Sequence, residues 1–167
     1  RCSARAGSRS GRPIMADTAR HPFDSEAGAL LRRARERIAA PEAQTRWVFA
    51  RDAAGHPVAP TSPWAVSWCV AGALLADGRP RPSDLERAAG RFLPAALLAE
   101  ERRPRTRRAA AVLLRAFALL DQAAPGPAPR LSAAAWLNNT AEHAETLAML
   151  DRAIRLADAR EPTTPEL

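Results

Sequence analysis

The sequence predicts a mainly α fold: a single compact bundle of about five or six helices, with room for one short β-hairpin near 45–59. Three observations point there. Apolar side chains recur at spacings of three and four through several long windows, which places them on one face of a helix. Alanine and leucine, both strong helix formers, dominate those windows. Between them stand Ser-Pro, Pro-Gly-Pro and isolated glycines that mark where helices start and stop.

The first helix is expected from Asp24 or Ser25 to Ala40, because Ala27, Leu30, Leu31, Ala34 and Ile38 make an apolar stripe opposite Arg32, Arg33, Arg35, Glu36 and Arg37. Pro41 then prevents continuation. In the next segment Trp47, Val48 and Phe49 favour extended backbone and Asp52 to Gly55 offer turn residues, so a hairpin over Thr45–Ala59 is expected, supported by a helix beneath it. Ser62 and Pro63 read as cap and first residue of a helix running to Ala76, with Gly78 beyond its end. Its buried face comprises Val66, Cys69, Val70, Ala73 and Leu74, and Gly72 with Ala73 lets another helix approach.

Ser83 and Glu86 form a capping-box pattern for a further helix, with Leu85, Ala88, Ala89 and Phe92 apolar and Pro94 kinking or splitting it. Thr106–Ala123 follows as a strong helix with Val112, Leu113, Ala116, Phe117 and Leu120 inward. Pro125 to Arg130 is a stiff connector, and a short helical turn around Ala133–Trp136 precedes the closing helix. Asn139 with Glu142 is expected to cap that last helix, which points Leu147, Leu150, Ile154 and Ala157 inward. The domain spans 21–160, flanked by a disordered basic tail over 1–20 and a disordered stretch over 161–167. Deletion up to Met15 is expected to leave the melting temperature unchanged, and residues 1–14 read as upstream of a native start.

Composition narrows the function classes. At 167 residues and 47% hydrophobic content, the chain suits one modest core. All 25 of its basic residues are arginine, and Arg1, Arg5, Arg9 and Arg12 supply more than half of the net +7. That bias, with the abundance of alanine, is the signature of a GC-rich genome before it is a signature of chemistry. No apolar run approaches the roughly 20 residues that cross a bilayer, so no membrane partner is expected. Cys2 and Cys69 make an improbable structural disulfide, and a reducing, cytoplasmic setting is the expectation. His21, His56 and His143 are scattered, with no His-x-x-x-His or Cys-x-x-Cys pair, so no metal is expected. Glycine is too sparse for a phosphate-binding loop, and no cofactor is expected.

The opening LLRRARERIA helix, the Ser-Pro segment carrying Trp68, Cys69, Gly72, Ala73 and Leu74, and the closing HAETLAMLDRAI helix together resemble a bacterial family of short helical proteins of unknown function. The resemblance covers roughly residues 29–158 in ordered pieces. Members of that family typically read Trp-Asn-Asp before the last helix, where this chain has Trp136-Leu137-Asn138-Asn139. The resemblance implies no activity.

Three site hypotheses follow from the residues. The leading one is a non-enzymatic module that binds an unknown protein or small ligand through Trp64, Trp68, Trp136, Asn138 and Asn139, indoles giving apolar walls and amides giving hydrogen bonds. The second is a cysteine-dependent hydrolase or transferase in which His143 takes the proton of Cys69 and Asn139 orients the ring. Against it, Cys69 is placed two turns into its helix on the apolar face; there Cys69→Ala is expected to be mild and Cys69→Ser to cost about 1–3 kcal/mol. The third is an anion or nucleic-acid site at Arg102, Arg103, Arg105, Arg107 and Arg108, five cations gathered where a helix macrodipole disfavours them. Glu100 and Glu101 are the local counter-charges, and no aromatic residue interleaves with the arginines as a stacking platform would require.

Overall fold

The apolar stripe of the first helix becomes the axis of the molecule. In the computed structural model, which describes residues 21–77, 107–125 and 139–160, helix α1 (Asp24–Arg37) packs against every other helix described. Those are α2 (Val70–Leu75), α3 (Arg107–Ala123) and α4 (His143–Asp158). The expected count of five or six helices is not reached among the described residues; the segments starting at Ser83 and around Ala133 lie outside them, as do 1–20 and 161–167. All five expected stripe residues are buried, Ala27, Leu30, Leu31 and Ala34 within α1 and Ile38 as its C-cap, and they meet Leu113, Ala116, Leu119 and Leu120 of α3 and Met149, Leu150, Ala153 and Ala157 of α4 in one core. Acidic Asp24 and Glu26 open α1 and Arg35 and Arg37 close it, which suits its macrodipole. The helix stops at Arg37, three residues before the expected Ala40, as the chain turns toward Pro41.

A small antiparallel sheet joins α1 to α2. It has the order β2-β1-β3, built from β1 (Ala50–Arg51), β2 (Pro57–Val58) and β3 (Ser67–Trp68). The hairpin expected over Thr45–Ala59 is present only at its centre, where Ala50 faces Val58 and Arg51 faces Pro57. Its turn is fixed by Asp52, whose Oδ1 accepts from the N–H groups of Ala54 and His56 at 3.0 and 2.8 Å, while Gly55 takes φ +83°. Trp47, Val48 and Phe49, expected in the strand, instead form a bend before it.

The helix expected over Pro63–Ala76 is corrected to its second half. Ser62 and Pro63 begin a turn: Ser62 Oγ accepts from Trp64 N–H at 3.2 Å, and Ala65 N–H donates to Ser62 O at 3.1 Å. Ser and Pro favour the first two positions of such a turn as much as a helix start, so the local signal is the same. The chain then runs extended as β3, opposite Ala50 and Arg51. Val66, expected inside, is half exposed, whereas Cys69, Val70, Ala73 and Leu74 are buried as expected. Gly72 does permit a close approach, but of the Phe49 carbonyl rather than a helix: a Cβ there would lie 1.8 Å from Phe49 O.

In α3 the expected Leu113, Ala116 and Leu120 are buried, while Val112 and Phe117 pack only partly against the core. In α4, Leu150 and Ala157 are buried and Leu147 and Ile154 are partly so.

Candidate functional site

Cys69 is not in mid-helix. It is the N-cap of α2, with extended backbone (φ −75°, ψ 167°), and its Sγ accepts from Gly72 N–H at 3.2 Å. Burial pushes its thiol up to about 11, and the N–H groups of the first turn only partly offset that. The nucleophile of a thiol enzyme needs the opposite shift. His143, the first residue of α4, directs Nε2 at Ile38 O at a separation of 2.8 Å. A carbonyl only accepts, so Nε2 carries the proton and the imidazole ties the start of α4 to the end of α1. Asn139 does not cap α4 as expected; Glu142 occupies the cap position without a side-chain bond. Instead Asn139 Oδ1 accepts from the N–H of Trp47 at 3.0 Å. Thus the thiol, the imidazole and the amide of the expected catalytic trio are each engaged with a different backbone group.

The expected ligand-binding set also divides. Trp136 and Asn138 lie outside the described residues. Trp68 is structural: Nε1 donates to Pro60 O at 2.9 Å, and the Arg37 guanidinium stands 5.6 Å from the ring centroid. Arg37 itself donates to Ala73 O and to Asp77 at 3.0 Å each, and Asp77 also accepts from Arg33. Burial disfavours the Asp77 carboxylate, but the two arginines outweigh it and hold the carboxyl below its usual range. Trp64 is the expected residue that reaches solvent, at 74% exposure, on the connection between β2 and β3.

Of the arginine cluster, Arg102, Arg103 and Arg105 lie outside the described residues. Arg107 and Arg108 are exposed at the head of α3, and Arg108 grips Glu26 through Nη2 and Nε at 2.8 and 3.2 Å. The counter-charge of Arg108 is therefore Glu26 on the first turn of α1, while Glu100 and Glu101 lie outside the described residues. Among the described residues, no group of His, Cys, Asp or Glu converges as a metal site would, and no helix is long and apolar enough to cross a membrane.

Trp47 is the feature that reading the sequence missed. Its side chain is 74% exposed, and its backbone takes φ +66°, a left-handed conformation that costs a residue with a Cβ roughly 1–2 kcal/mol. Two long-range bonds hold the bend: Asn139 Oδ1 accepts from Trp47 N–H, and Arg46 Nη2 donates to Ala141 O at 2.7 Å. Indole burial does not offset the strain; the two long-range bonds hold the backbone from which this solvent-facing indole projects. The β-propensity of Trp-Val-Phe concealed this, and a left-handed tryptophan has no local sequence signature. Trp47 and Trp64 each stand three residues before an antiparallel partner strand, which puts them toward opposite ends of the β1–β3 ladder.

No family model matches the chain, and comparison with curated proteins and with solved structures finds no match.

Proposed function

We propose that this chain is a non-enzymatic binding module that takes a protein or small ligand against Trp47 and the adjoining 139–143 segment. The observation that carries the reading is the exposed indole of Trp47 on a bend pinned by Asn139 and Arg46. An exposed indole on a tied-down backbone offers a large apolar contact, a property of residues that dominate binding interfaces. Trp64 offers a second, separate contact point. The thiol-enzyme reading has less support, because the Cys69 thiol is buried and pushed up to about 11. The anion-site reading is weakened by the Arg108–Glu26 pair.

Four indole N–H signals make the test direct. A panel of small aromatic amides and short peptides, titrated into ¹⁵N-labelled protein, is expected to shift the Trp47 indole and the Asn139 side-chain amide first. Trp47→Ala should weaken those probes about tenfold or more. Shifts that cluster elsewhere, or probes that bind Trp47→Ala unchanged, would defeat the reading.

A further inference from the structure

We infer that Asn139 is the positioning residue of this surface: of the two bonds that tie the bend, its side-chain carbonyl is the one that holds the Trp47 N–H itself in the left-handed conformation, so that losing it frees the backbone from which the indole is presented. The inference rests on reading Trp47 as the contact residue, and adds the control of that contact.

Three observations meet at the latch. Trp47 is the one described residue other than glycine with positive φ, a conformation that its own local energetics oppose. Its indole is mostly in solvent, so packing of the side chain does not hold the backbone there. The backbone N–H that this conformation exposes is taken up by Oδ1 of Asn139, 92 positions along the chain. With the bond to Asn139 removed, what remains at Trp47 is the local preference for negative φ. Asn139 belongs to the short segment immediately before α4, and the neighbouring Ala141 carbonyl receives Arg46. Any movement of 139–141 relative to the core therefore acts on residues 46 and 47 together. A partner seated on that segment would sense, and set, the orientation of the indole.

The test needs no identified ligand. In the parent protein the Trp47 amide should show a strong intraresidue HN–Hα contact by NMR, which marks positive φ, and should exchange with solvent slowly. Asn139→Ala is expected to weaken that contact and accelerate exchange of the Trp47 amide about tenfold, the worth of one hydrogen bond. Asn139→Asp, which keeps an acceptor oxygen, should restore both. Unprotected exchange of the Trp47 amide in the parent overturns the latch even if the alanine variant fails to fold. So does an alanine variant in which contact and exchange are unchanged. The aromatic amide panel separates this inference from the one beneath it. Release of the amide without weaker binding of the panel would overturn the positioning role while leaving Trp47 as contact residue; unchanged binding by Trp47→Ala would remove the contact residue itself.

Discussion

Cys69 shows how the position of one atom reverses an expectation about substitution. In mid-helix a serine hydroxyl would be an unpaired burden, but at the N-cap it meets the Gly72 N–H that Sγ accepts from now, and serine is a favoured cap where alanine is not. Cys69→Ser is therefore expected to keep or slightly raise stability, and Cys69→Ala to cost about 1 kcal/mol, an order that urea denaturation of the two variants can check. A thiol reagent should label the native protein far more slowly than the unfolded chain, since burial pushes the thiol up to about 11. Gly72 sets a harder limit. With Phe49 O 1.8 Å from where a Cβ would sit, Gly72→Ala must displace backbone, and a loss of about 3 kcal/mol or failure to fold is expected. At Trp47 the sign is the other way for glycine: Trp47→Gly should be more stable than Trp47→Ala by about 1 kcal/mol, because glycine carries no penalty at φ +66°. Equal midpoints for those two variants would mean the bend relaxes once the indole is gone.

At the scale of elements, α1 is held at its start by a pair that few sequence patterns would reveal. Asp24 and Arg115 of α3 keep only 3% and 12% of their side-chain surface, with Nε donating to Oδ1 at 2.6 Å. Burial opposes ionisation of Asp24, but the bond from Arg115, the His21 N–H and the charges of Arg115 and Arg160 prevail, so its carboxyl titrates below the usual range. The sign follows from that depression: the stabilisation is complete above the ordinary carboxylate value of about 3.9 and disappears as pH falls through the lower folded value. Asp24→Ala should cost about 3 kcal/mol at neutral pH by leaving Arg115 uncompensated, and should make the acid limb of the stability curve shallower. Much of this level was legible in the chain. The stripe of α1 was, because a bundle helix writes its burial as a period; so were the bounds of α3 to within a residue. The Ser62-Pro63 segment was not, since turn and helix start use the same residues and pairing with β1 decided between them. Of the candidate site, Asn139 was legible as a polar residue near the closing helix, but its bond to Trp47 depends on a contact 92 residues away that no local pattern encodes.

Across the whole molecule, arginine is abundant while the core does the holding. Arg32–Asp158, Arg33–Asp77, Arg35–Asp151 and Arg108–Glu26 join α1 to its neighbours, yet each pair includes a substantially exposed partner and is worth about 0–1 kcal/mol. Leu31, with no accessible surface, sits where α1 meets the shared core. Leu31→Ala should cost about 2–5 kcal/mol, against less than about 1 kcal/mol for Arg32→Gln, and the gap should persist from low to high salt in calorimetric unfolding. The hub position of α1 also sets the order of events at the ribosome. Its partners on α4 lie 116 and 126 residues downstream, so the first helix emerges with its apolar stripe unmatched. At elongation rates of about 5–20 residues per second that interval is roughly 6–25 s, far longer than helix formation itself. Until α4 is made, only α2 and α3 can cover part of that stripe, and the share that α4 covers stays open. That interval, before the final helix exists, is the window in which a chaperone that shields such stripes could act on the nascent chain.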